Sequence, residues 1–324
     1  MRHCLKPLLA AALCFVWASA AHAAVGFQHF TIPDRNGKPI EVGVWYPTDA
    51  APRPERLELG TQTVATDAPV EGRRLPLIVI SHGHGGSYAG HADTAVALAE
   101  AGYVAAALTH TGDNWRDESL DTAIWERPRQ LKVMTDYMLR DWAGHDHLDA
   151  ARVGAFGFSA GGFTVLADAG GEPDLTTIEG HCQAHPTFEV CGILANHPRA
   201  LDVKVSWTHD PRIKAVVSAA PALGFAFGKA GLQGVRQPVQ LWRGADDQVL
   251  PHPYYAEQVR VNLPSPPEMH VVPDAGHYDF LDPCSEALAR QVPAICTSEP
   301  GFDRVAFHRA FNEAIVTFFN RTLR

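Results

Sequence analysis

The 324-residue chain has no apolar run long enough to span a bilayer; its most apolar stretch, Leu8 to Ala18, is well short of the ~20 residues a transmembrane helix needs. It has no internal repeat and no low-complexity tract. It also lacks a basic excess. Lys and Arg number 27 against 36 Asp and Glu, a formal net charge of -9. That balance argues against nucleic acid or an anionic membrane as partner, because both attract basic surfaces. Cysteine is scarce, six in all and none at C-x-x-C spacing, so a zinc site has little support. What remains, 46% hydrophobic and 19% charged residues, is the balance of an ordinary globular protein. The length suits one α/β domain with a large core, or two small domains.

The N-terminus reads as a secretory signal. Met1-Arg2-His3-Cys4-Leu5-Lys6 is a positive n-region, Leu8 to Ala18 an apolar core, and Ala21-His22-Ala23 a small-residue cleavage site. Residues 1–23 are therefore expected to be a signal peptide, and 24–324 a single exported domain, periplasmic or secreted. Leu13 before Cys14 is in the wrong place for a lipoprotein box. Cleavage leaves Cys182, Cys191, Cys284 and Cys296, and an even set in an oxidising compartment points to disulfides. Four cysteines allow three connectivities. The local pairs Cys182–Cys191 and Cys284–Cys296 are favoured, because each would staple a polar loop.

Short apolar runs alternate with helical stretches along the rest of the chain. Phe27–Thr31 and Ile40–Tyr46 look like an N-terminal hairpin. Leu77–Ile80, Val104–Leu108, Val153–Phe156, Ile213–Ser218, Val239–Trp242 and Met269–Val272 read as inner strands. Helices are expected over 89–101, 125–142, 160–168, 254–262 and 302–319. Such alternation predicts a mostly parallel sheet with helices on both faces. Thr48 to Pro76 reads as a long surface connection. Residues from about 169 to 210 break the alternation and read as a cap-like insertion over a pocket mouth. Trp115 and Trp207 are candidates to line that pocket.

The chemistry concentrates in three places. Gly157-Phe158-Ser159-Ala160-Gly161 follows a strand-like run and precedes a helix-like one. A G-x-S-x-G between strand and helix is a nucleophile elbow, a turn so tight that glycines must flank the serine. Upstream, Ser81-His82-Gly83-His84-Gly85-Gly86 is a glycine-rich turn after an inner strand. A turn there can aim backbone N–H groups at a developing oxyanion. The expected donors are the amides of His84 and Ala160. Late in the chain, His277 sits in a Gly-containing loop as the expected general base. Upstream of it, Gly244-Ala245-Asp246-Asp247-Gln248-Val249-Leu250-Pro251 supplies the acid that fixes the imidazole tautomer. Asp247 is preferred for its place three residues after Gly244 and four before Pro251; Asp246 stays open as the alternative. Other late histidines, His252 and His308, read as surface or packing residues.

With these segments in hand, the chain resembles the bacterial predicted dienelactone-hydrolase family, akin to platelet-activating-factor acetylhydrolases. Val44-Trp45-Tyr46-Pro47, the His82–Gly86 turn, the Ser159 elbow, Asp247 and His277 carry the likeness. The resemblance implies an α/β-hydrolase fold. It also implies a serine hydrolase of small-molecule carboxylic esters with short or modest acyl groups, without cofactor or metal. True dienelactone hydrolases use a cysteine at the elbow, where this chain has serine, which weighs against dienelactone as substrate. Three other readings share the same residues: an acyltransferase, a peptidase, and a non-catalytic binding module on a hydrolase fold.

Overall fold

A computed structural model describes residues 24–35, 37–58, 60–196 and 205–323; the expected signal peptide lies outside the described residues. The first described elements form an antiparallel hairpin, β1 (Ala24–Ile32) and β2 (Ile40–Thr48). A second antiparallel pair follows, β3 (Arg53–Arg56) and β4 (Thr61–Thr66), with β4 parallel to β1. The expected surface connection between Thr48 and Pro76 is thus corrected: it widens the sheet. Thr61-Gln62-Thr63-Val64-Ala65-Thr66 carries its strand preference in β-branched threonines and buries Val64 fully, a pattern without the apolar run that marks an inner strand.

The alternating part comprises β5 (Leu75–Ser81), α1 (Ala92–Glu100), β6 (Val104–Thr109), α2 (Glu126–Arg140), β7 (Leu148–Phe158) and α3 (Ala160–Asp168). Two insertion helices come next, α4 (Thr177–Ala184) and α5 (Glu189–Asn196). Then follow β8 (Ile213–Ala219), β9 (Val239–Gly244), α6 (Ala256–Asn262) and β10 (Glu268–Val272). The chain closes with α7 (Glu286–Gln291), α8 (Pro293–Cys296) and α9 (Arg304–Thr322).

Among the described residues, ten strands form one sheet in the order β10-β9-β8-β7-β5-β6-β2-β1-β4-β3. The six strands from β5 to β10 are mutually parallel. β5, β6 and the Val153–Phe158 part of β7 are buried on both sides because both faces are covered; β10, expected as an inner strand, is instead the edge of the sheet, and none of its residues is buried. The period of two decides which side chain goes where. Leu77 and Val79 pack with Leu131 and Met134 of α2 and Phe163 of α3. Ile78 and Ile80 pack with Leu98 of α1 and with Phe311, Ile315 and Phe319 of α9.

The strand order places the site. From β5 the chain moves to β6 on one side, then returns to β7 on the other. That reversal opens a crevice at the carboxyl ends of the strands, where open α/β sheets bind ligands. His84 follows β5, Asp113 follows β6, Ser159 follows β7, Asp247 follows β9 and His277 follows β10. All five gather at one sheet edge.

Both expected cysteine pairs are bonded, Cys182–Cys191 and Cys284–Cys296. The segments they staple are more regular than expected. Cys182 lies in α4 and Cys191 in α5, so the first bridge joins two helices; the second ties a loop to α8. Helices this short give weak periodicity in a sequence and are held by packing and cross-links.

Candidate active site

Ser159 has φ 55° and ψ -117°, a conformation disfavoured for a residue with a Cβ. Its neighbours show why the turn needs glycine. A Cβ on Gly161 would stand 1.9 Å from the carbonyl oxygen of Ser81, and one on Gly157 would stand 2.0 Å from that of Gly161. The strained serine is held by backbone bonds on both sides: its N–H donates to Ala219 at 2.9 Å, and its carbonyl accepts from Ala222 at 2.9 Å.

His277 Nε2 lies 3.0 Å from Ser159 Oγ, and its Nδ1 lies 2.8 Å from Asp247 Oδ2. The carboxylate can only accept, so Nδ1 carries the proton and Nε2 is free to accept from the serine hydroxyl. Asp247 Oδ1 accepts the amides of Val249 at 3.0 Å and Leu250 at 2.7 Å. Burial pushes the Asp247 carboxyl up, but His277 and these two amides outweigh it and hold it below the usual range. Asp246 is exposed and donates its backbone N–H to the Ala275 carbonyl. Of the two adjacent acids, Asp247 is the one at the imidazole.

The loop bearing His277 is braced by α9. Arg304 Nε donates to the Leu281 carbonyl at 3.0 Å, and its guanidinium also reaches the carbonyls of Tyr278 and Ile295. His308 donates from Nε2 to the Asp279 carbonyl at 2.8 Å, and its Nδ1 meets Asp93 Oδ2 at 2.6 Å. Among the described residues, the donor atoms of Asp93, Asp282 and His308 form the one group close enough to hold a metal ion. Asp93 Oδ2 also accepts from Asn312.

A cavity of about 90 Å³ opens at Ser159. Ala160 and His84, the expected oxyanion donors, both line it. Most of its lining is aliphatic, with Leu175, Ile178, Val190 and Leu194 from the insertion joined by Leu223 and Leu250. The segment after α3 therefore does wall the pocket. The two tryptophans do not. Trp115 is 57% exposed and donates to Glu58 at 2.6 Å, while Trp207 packs edge-on against Phe163 and donates to the Pro173 carbonyl at 3.1 Å.

A polar layer begins at the cavity lining with His84 and Asp113 and continues behind it. His84 donates from Nδ1 to Asp113 Oδ1 at 2.9 Å, and this bond, beyond the opposing effect of burial, raises the His84 pKa. Asp113 is buried, which favours its neutral form, yet the adjacent Arg127 guanidinium holds it far below the usual carboxylate range. Behind it, His110 Nδ1 lies 2.9 Å from Gln130 Oε1 and its Nε2 lies 2.8 Å from Ser81 Oγ. An amide oxygen only accepts, so His110 carries its proton on Nδ1 and accepts the serine hydroxyl on Nε2. Arg127 and Gln130 look like ordinary polar helix positions in the sequence. Only the packing of α2 against the sheet turns them inward.

No protein-family model matches the chain, and no curated protein sequence matches it. Its fold has solved counterparts. The chain is similar to a ferulic acid esterase from Streptomyces cinnamoneus, with a TM-score of 0.64 over 95% of this chain and 93% of that one, at 19% identity. It is also similar to a dienelactone hydrolase from Anabaena variabilis, with a TM-score of 0.53 over 92% of this chain and 99% of that one, at 17% identity. The fold is the α/β-hydrolase fold. Within it, β5 to β10 form the parallel core and β1 to β4 extend the sheet on one side.

Proposed function

We propose that the chain is a serine hydrolase that cleaves carboxylic esters through an acyl-enzyme. The observation that carries this reading is the unbroken line Ser159 Oγ, His277 Nε2, His277 Nδ1, Asp247 Oδ2, with gaps of 3.0 and 2.8 Å, opening on an apolar cavity. The fold neighbours, an esterase and a hydrolase, support the same reaction class.

In this reading Ser159 Oγ attacks the ester carbonyl carbon while His277 Nε2 takes its proton. The carbonyl oxygen becomes an oxyanion between the amides of Ala160, first residue of α3, and His84. Preorganised donors in a water-poor site stabilise that charge strongly, and the helix N-terminus adds its dipole. His277 then hands the proton to the leaving alkoxide oxygen. Water, deprotonated by the same imidazole, attacks the acyl-enzyme, and Ser159 regains its proton as the acid leaves. Asp247 stays ionised throughout and stabilises the imidazolium.

The cavity supports short to modest acyl groups. About 90 Å³ is room for about three waters at the roughly 30 Å³ each occupies in the liquid, a small space for an acyl chain. The two disulfides support export to an oxidising compartment, in keeping with the signal-like N-terminus. Initial rates on p-nitrophenyl esters of increasing acyl length test the reading. Turnover that peaks at short chains supports it; no turnover of any ester would overturn it.

A further inference from the structure

Arg127 is 2% exposed, and its guanidinium spends its N–H groups on three separate elements. Nη1 donates to Asp113 Oδ2 in the loop after β6, and Nη2 to the carbonyl of His82 in the loop after β5. Nε donates to Thr164 Oγ1 of α3 at 3.2 Å. Each contact leads on to the cavity. Thr164 Oγ1 donates to the carbonyl of Ala160 at 2.7 Å. Asp113 Oδ1 accepts the amide of Gly85 at 3.1 Å and Nδ1–H of His84 at 2.9 Å, gripping the peptide that joins those two residues. The loop is tied at its start as well: His82 Nε2 accepts the amide of His110 at 2.9 Å.

A plain charge in the core needs one carboxylate partner. Here one planar fork is shared among the loop that carries His84, the loop that carries Asp113 and the helix that begins at Ala160. We propose that Arg127 is the positioning residue of the oxyanion hole, a buried guanidinium that fixes the amides of His84 and Ala160 at their working separation. This rests on the serine-hydrolase reading. It goes beyond that reading in naming what sets the hole's geometry. The requirement is for a fork, and the single ammonium of lysine cannot meet three acceptors in one plane.

The test compares Arg127→Lys, Arg127→Ala, Asp113→Asn and Thr164→Val with the wild-type chain on p-nitrophenyl acetate. A misplaced oxyanion donor lowers kcat by about 10²–10³ and leaves KM nearly unchanged, because the charge exists only in the transition state. Both Arg127 variants are expected in that range, with affinity for a boronic acid transition-state analogue falling by the same factor. In Arg127→Lys, which keeps a positive charge beside Asp113, the pH profile of the remaining activity should be unmoved, since His277 and Asp247 are untouched. Low millimolar guanidinium added to Arg127→Ala should restore part of kcat at unchanged KM, where the same concentration of sodium chloride does not. A folded Arg127→Ala with wild-type kcat, or one changed in KM alone, overturns the proposal. Should both Arg127 variants fail to fold, Asp113→Asn and Thr164→Val decide: reduced kcat with weaker analogue binding supports it, and wild-type values for both overturn it. A wild-type chain that hydrolyses no ester would fail the functional reading instead, so the two failures are separable.

Discussion

Asp247 meets His277 with one carboxylate oxygen, at 2.8 Å, and holds two backbone amides of its own turn with the other. Its chain neighbour Asp246 faces solvent. The two acids should therefore separate sharply on substitution. Asp247→Asn is expected to lower kcat about 10⁴-fold, since an amide there favours the wrong imidazole tautomer. Asp246→Asn should stay within about threefold of wild type, as surface changes do. Steady-state rates on one p-nitrophenyl ester are enough, and the larger loss in Asp246→Asn would reverse the assignment.

The Cys182–Cys191 bridge joins the two helices whose Ile178, Val190 and Leu194 wall the cavity. Closing a loop of 9 residues is worth about 2–3 kcal/mol on the chain-entropy model. A Cys182→Ser/Cys191→Ser protein should melt at lower temperature and also shift its preference along an acyl-length series. The Cys284–Cys296 bridge lies outside that wall, so its double serine variant should lower the melting temperature and leave the preference alone. Equal profiles for wild type and both variants would remove the first bridge's role at the pocket.

Acid should unfold the protein early. Burial, helped by Arg127 near His82, depresses the pKa of His82 and of His91 to about 3, and burial holds His110 well below the ordinary value. All three stay neutral in the folded chain, whereas the unfolded chain protonates them below about pH 6.5. Their stabilising contribution is complete above that pH and is lost as pH falls below it, down to about 3 for His82 and His91. Each histidine removes about 1.4 kcal/mol per pH unit across that window. Melting temperatures at pH 7.5, 6.0 and 5.0 should fall in that order; a flat series from 7.5 to 5.0 would contradict this account.

What was legible in the sequence was local. The Ser159 elbow could be read because its glycine requirement is met within five residues, and the structure shows the carbonyl oxygens that enforce it. Five of the six expected inner strands could be read because burial leaves apolar runs, whereas Met269–Val272 belongs to the edge strand β10 and has no buried residue. The threonine-rich β4 carries no such run and passed for a connection. Arg127 and Asp113 lie 14 residues apart, and Arg127 lies 37 from Thr164. Nothing nearby in the chain marks them, because their roles arise where α2, α3 and two strand-end loops converge. Trp115 and Trp207 failed as pocket residues for the same reason: a bulky side chain shows in the sequence, but the direction it faces does not.

The account turns on Ser159 Oγ. Incubation with a fluorophosphonate, followed by peptide mapping, should place a single adduct on Ser159 and abolish ester turnover in step with labelling. Folded Ser159→Ala should take no label and lose kcat by about 10⁴–10⁶, as triad knockouts do. An adduct on another residue, or a folded Ser159→Ala that hydrolyses esters at the wild-type rate, would contradict it.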